Sequence, residues 1–348
     1  MHPGPPPPPP PAHANGPPPL PPPAQAAVDG ADDDDDLLGD DATRHPQRYL
    51  SAHMTRLTQR LLVRDLQRQG AAARPRLAQL RSQSGRGALS WLDVPPSSAV
   101  AMTSVAAATM TLVVLFVEPW RIAGDTCVYG CPSAGPTCLH VLGCARQSLR
   151  GQVPTHQAMK CALQQQLRSC GAPYFLNEDT MASDYDGDQI DTLVLPGTLH
   201  MCGDADFARK GVAVDNSVCA PTASTLCRRA AAASGAAARA RERDKYARYG
   251  SRLNPERYLI VPFVQESFGR LGPAASRFIG VMAAHAAARA GGGERVVRRR
   301  RGIVRRRIVV TLSAALAREL AERILAYVHG ARLRGRAVRP VSRLLHVR

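Results

Sequence analysis

Cys127, Cys131, His140 and Cys144 follow one another as Cys-x3-Cys-x8-His-x3-Cys. Thiolates and imidazole have the ligand softness that zinc prefers, and four such donors complete its tetrahedron. With no position left for water, a metal held this way is structural. Gly130, Gly135 and Gly143 suit the tight turns the spacing needs. Cys138, two residues before His140, is an alternative fourth ligand. A second constellation is acidic: Glu178, Asp191, Asp215 and Lys245. Carboxylates on adjacent strands hold Mg2+, and a lysine stabilises charge at an attacked phosphate, which is the chemistry of phosphodiester hydrolysis. Asp184, Asp186 and Asp188 resemble the start of a calcium loop, but no glutamate follows at the required distance, so they read as a solvated turn. A third group is basic. Arg298, Arg299, Arg300, Arg301, Arg305, Arg306 and Arg307 fall within ten residues and carry much of the net charge of +17. Such a run suits a phosphate backbone, DNA or RNA, or nuclear import.

Apolar spacing predicts the elements that must carry these groups. Leu50, Met54, Leu57, Leu61, Leu62 and Leu66 give a helix over 49–69, and a second follows over 74–81. His156, Met159, Leu163 and Leu167 share a stripe of a helix over 155–170. Short β-branched runs bounded by Gly, Pro or Asn predict strands over 190–195, 211–218 and 258–264. An Ala/Arg-rich helix over 220–249 lies between the last two, and helices over 273–290 and 310–330 follow. Asp191 and Asp215 thus fall on strands and Lys245 on a helix. The interleaving predicts an α/β (α+β) domain.

The organisation expected is a Pro-rich and acidic tail over 1–46, too poor in core-forming residues to pack, and a helical region over 47–120. A zinc-knuckle-like module over 121–150 and an α/β domain over 151–290 come next. A basic linker over 291–308 and a C-terminal helix with basic tail over 309–348 complete it. Within the helical region, 99–117 is an uncharged run of 19 residues (AVAMTSVAAATMTLVVLFV). It is long enough to be read as a membrane span, with a buried core helix as the competing reading. The chain opens on prolines rather than a basic segment followed by an apolar one, and its nine cysteines are an odd number. Both favour a reduced nuclear or cytoplasmic setting, and metal ligation before disulfides.

In order, Arg81-Ser-Gln-Ser-Gly-Arg-Gly-Ala-Leu-Ser-Trp91-Leu, the Cys/His cluster, the helix with His156, Asp191-Thr-Leu-Val-Leu-Pro196, Gly211-Val-Ala-Val-Asp215 ahead of Cys219-Ala-Pro221, Lys245-Tyr246 and Pro262-Phe-Val-Gln-Glu-Ser-Phe-Gly-Arg-Leu-Gly272 form a collinear series. It spans residues 47 to 330 and resembles the region after the polymerase in non-LTR, LINE-like retrotransposon polyproteins. No polymerase Asp-Asp pair accompanies it. The resemblance implies a nucleic-acid-binding knuckle followed by a restriction-endonuclease-like mixed sheet flanked by helices. Asp191 matches the aspartate of the family's Arg-Pro-Asp strand, and Lys245 matches its lysine. The family's Asp-Val-x-Val meets Gly211-Val-Ala-Val here, which leaves Asp215 four residues, ~13 Å, along the strand. The implied protein is a retrotransposon-derived nucleic-acid binder with a degenerate, impaired nuclease site. The alternatives are an active Mg2+-dependent endonuclease, a transposon fossil without selected function, and a single-pass membrane protein.

Overall fold

The computed structural model describes residues 46–340, apart from 86, 94–101, 116, 118, 125, 132–137, 145–147, 176–189 and 251. The tail over 1–45, Glu178 and the Asp184–Asp188 triplet lie outside the described residues. The chain divides into two units, Met1–Leu61 and Leu62–Arg348. Of the first, only the beginning of helix α1 (Pro46–Arg68) is described, and α2 (Arg74–Gln83) belongs to the second. The Cys/His segment, the sheet and the C-terminal helix, expected as successive modules, belong together in the second unit.

That unit is built on a mixed four-stranded sheet in the order β2 (Tyr174–Phe175), β3 (Thr192–Val194), β4 (Gly211–Cys219), β5 (Tyr258–Glu266). The first three strands pair antiparallel, and β4 and β5 run parallel in unbroken register from Gly211↔Tyr258 to Cys219↔Glu266. A parallel pair needs a crossover, and the Ala/Arg-rich stretch supplies it as two helices rather than the single one expected. After the short helix α5 (Ala205–Arg209), which precedes β4, the first crossover helix, α6, is Ser224–Ala232 and the second, α7, is Ala236–Tyr249. The break falls at Gly235, whose φ of 68° suits glycine.

Alternation along β4 sorts the core. Val212 and Val214 face a large apolar cluster with Val261 and Phe263, shared with helices α4 (Ser148–Ser169), α8 (Pro273–Arg289) and α9 (Glu294–Leu333). Ala213 faces the other way, towards Ile190, Tyr249 and Leu253. α9 is 40 residues long, and from its fifteenth residue onward it buries Ile308, Leu312, Leu316, Leu320, Ile324 and Val328, a row at every fourth position. Its N-terminal half is mostly exposed and carries the arginine run. The 291–308 stretch is therefore not a linker: it is helical from Glu294 onward and continuous with the buried half.

The apolar run resolves in favour of a core helix. Within it, α3 (Ser104–Val114) has 11 residues, ~16 Å of helix against a hydrocarbon layer of ~30 Å. Thr103 caps its start by accepting a hydrogen bond from Ala106 N at 3.2 Å. Met110, Leu112 and Val113 are buried in the large cluster with α9. Among the described residues no helix is long and apolar enough to cross a membrane. Two further strands, β1 (Trp120–Ile122) and β6 (Val338–Pro340), pair antiparallel as a separate ribbon.

Candidate functional site

The Cys/His residues converge. Cys127 and Cys131 flank a turn in which Gly130 N donates to Cys127 O at 2.9 Å, with Gly130 at φ 82°. His140 and Cys144 come from a short 3-10 turn over Cys138–Gly143 and the residue after it. The four ligand atoms all lie within 4.8 Å of one another. The amides of Tyr129 and Cys131 donate to the Cys127 sulfur at 3.3 and 3.2 Å, and the sulfurs of Cys131 and Cys144 are 3.4 Å apart. Burial works to raise the Cys127 thiol, but these hydrogen bonds outweigh it and hold the group below its usual value, towards thiolate. His140 is pushed the other way by burial, towards neutral imidazole, and its Nε2 is buried with no hydrogen-bond partner. A metal requires both states. The cluster can hold one with its own four donors; the side chain of Cys138 lies outside the described residues.

This cluster is covered rather than presented. Tyr327 of α9 accepts a hydrogen bond from Val128 N at 3.2 Å, and Arg323, itself buried, donates to Val141 O at 3.0 Å. Past the end of α9, Arg334 donates to Val128 O and Arg336 to Thr126 O.

The acidic residues also come together. Thr192 pairs with Val214, and one further step in the antiparallel register brings Asp191 opposite Asp215. Both carboxylates are buried. Asp191 Oδ1 lies 2.8 Å from His156 Nε2 and 4.0 Å from Lys160 Nζ, while its Oδ2 accepts from Asn216 N at 2.6 Å. Asp215 is ion-paired with Lys245, which also donates to Asn216 O at 3.5 Å. Tyr249 donates to Asp215 as well, and burial together with that carboxylate raises its phenol. Burial works to raise Asp191, yet His156, Asn216 and Lys160 together hold it below the usual carboxylate range. His156 is raised in turn by Asp191. Burial lowers Lys245 against the pull of Asp215.

Asp215, expected ~13 Å along the strand from the place of the family's aspartate and so too far away to share a metal, lies directly opposite Asp191. The segment opposite Asp191 is Asp215-Asn-Ser-Val218. Lys160, Asn216 and Tyr249 were missed. A signal existed for two of them: Lys160 is four residues after His156 and Tyr249 four after Lys245, each on its partner's helical stripe. Among the described residues the one group of three or more His, Cys, Asp or Glu placed to hold a metal ion is the Cys127, Cys131, His140 and Cys144 cluster, and Asp191 and Asp215 form no such group.

Of the seven arginines, three have structural work. Arg300 donates to Ala290 O and Gly291 O at 2.8 and 2.6 Å, closing the end of α8. Arg305 reaches Ser276 Oγ at 3.2 Å and Arg306 pairs with Asp93 at 3.1 Å. Arg298, Arg299, Arg301 and Arg307 are exposed.

The two longest motifs of the family resemblance meet each other. A Cβ added at Gly269 would lie 2.2 Å from Ala88 O, and one at Gly85 would lie 2.5 Å from Arg270 Cγ. Glu266 accepts from Ala238 N at 3.1 Å, capping α7, and Glu242 accepts from Ala274 N at 3.0 Å, capping α8. These blocks hold the helices that carry Lys245 against the sheet.

Comparisons with protein-family models, with curated proteins and with solved structures find no match to this chain.

Proposed function

We propose that this chain binds nucleic acid and hydrolyses phosphodiester bonds at Asp191 and Asp215, with a structural zinc at Cys127, Cys131, His140 and Cys144. The observation that carries the reading is the juxtaposition of two carboxylates, one a residue before β3 and one in β4, with Lys245 from the following helix. The order helix, three antiparallel strands, crossover helices, parallel strand is the one a restriction-endonuclease-like core requires, and it agrees with the retrotransposon resemblance.

Mg2+ is commonly bound by one or two carboxylates, with water and substrate phosphate completing its shell; bound here, it would neutralise charge at the phosphate and lower the pKa of an attacking water. Asp191 and Asp215 are the residues that would hold it. Asn216 N and His156 orient Asp191, and Lys245 is placed to stabilise the extra negative charge as water attacks phosphorus and the bond to one sugar oxygen breaks. The exposed arginines of α9 supply sequence-independent attraction, so affinity falls steeply with salt.

Binding without cleavage is the second reading. It is favoured by the cations already engaging both carboxylates, His156 and Lys160 on Asp191 and Lys245 on Asp215. Nicking of supercoiled plasmid separates the two. The cleavage reading expects product only with Mg2+ or Mn2+, and none from Asp191→Asn protein that still binds DNA. A folded wild-type chain that binds DNA and never nicks it leaves only the second.

A further inference from the structure

Asp215 and Ser217 lie two residues apart on the same face of β4, the face covered by α7. Lys245 reaches Asp215 from α7. One turn earlier on that helix, Arg241 donates from Nε to Ser217 Oγ at 3.1 Å. The guanidinium is exposed, and among the described residues its two terminal nitrogens have no hydrogen-bond partner. A free planar fork, held at its base, matches the oxygens of a phosphate in bidentate fashion. Its proximity to the acid cluster is electrostatic as well as geometric, since its charge contributes to lowering Lys245.

We infer that Arg241, tethered by Ser217, is a binding residue for the backbone phosphate next to the one positioned at Asp191, Asp215 and Lys245. The inference rests on the nucleic-acid reading above. Residues four apart on a helix are ~6 Å apart along its axis, of the order of one nucleotide step along a backbone. Ser217 restricts the long side chain before any ligand arrives, so less rotamer freedom is lost on binding. Of the other exposed arginines of α7, Arg239 and Arg243 fall on different faces of the helix from Lys245 and Arg248 lies over the Tyr249 ring, whereas Arg241 is on the stripe of Lys245 and bonded to Ser217.

The test is the salt dependence of binding of a short fluorescein-labelled DNA duplex to the full chain, wild type against Arg241→Gln, Arg241→Lys and Ser217→Ala. Arg241→Gln is expected to bind several-fold more weakly, with the slope of log affinity against log salt reduced by about one. Arg241→Lys restores the slope, because the charge returns without the fork. Ser217→Ala keeps the slope and weakens binding less than Arg241→Gln. An unchanged slope and affinity in Arg241→Gln, with unchanged thermal melting, overturns the inference. Wild-type binding without nicking removes the cleavage reading and leaves this one standing. Absence of wild-type binding removes both.

Discussion

The thiol–imidazole cluster is drawn from a single short segment, Cys127 to Cys144, whereas the carboxylate–lysine cluster takes residues from a helix, two strands and a second helix between His156 and Tyr249. The first gathers four donors whose ligand atoms all lie within 4.8 Å of one another. In the second, every carboxylate already has a cation or a peptide N–H. The difference separates two kinds of site. Three thiols and an imidazole gathered this closely can hold a metal, which would offset their mutual repulsion as thiolates. Asp191 and Asp215 already have His156, Lys160 and Lys245 beside them, so a metal there would compete with cations that the fold supplies.

Removing the metal should therefore act most strongly on the first region. Chelation, or Cys144→Ser, is expected to abolish zinc in a purified sample and to lower the melting temperature more than any change in the acid cluster. The energy of a structural zinc site is folding energy. Equal melting curves with and without chelator would erase the distinction between the regions. Next in size is Lys245→Ala, which leaves Asp215 buried without its cation and should destabilise by about 3–5 kcal/mol. Adding Asp215→Asn should recover most of that loss, because no unpaired charge remains. Denaturant unfolding of the two variants tests this directly.

The smallest effect concerns pH. Burial raises Glu242 from its ordinary 4.5 to about 7. The folded state then holds its proton more tightly than the unfolded chain, so stability is greatest at the acidic side of that window. It falls as pH rises from 4.5 towards 7, each unit of displacement being worth about 1.4 kcal/mol. Glu242→Gln should flatten this dependence in unfolding curves taken across the window.

Much of the local structure was legible because local spacing determines it. The Cys-x3-Cys and His-x3-Cys pairs converge because each needs only a turn, and the strands under Asp191 and Asp215 were evident from β-branched runs. What escaped depends on partners distant in the chain. β1 and β6 are three residues each and pair across more than two hundred positions. Asp215 was expected too far along its strand because sequence spacing gives distance along one strand and not the pairing across to Asp191, which the register of Thr192 with Val214 fixes. The apolar run over 99–117 could not be classified by hydropathy, since a helix shielded by lipid and one shielded by α9 look the same in sequence.

α9 begins in solvent with arginines and ends against the Cys/His cluster, without a break over 40 residues. The helix is held along its length: Arg300, Arg305 and Arg306 tie its first half to α8 and Asp93, and Arg323 and Tyr327 hold the other half to the Cys/His segment. A change in the ligand state of that cluster would thus be carried by one rigid element towards arginines ~25–45 Å away along the same helix.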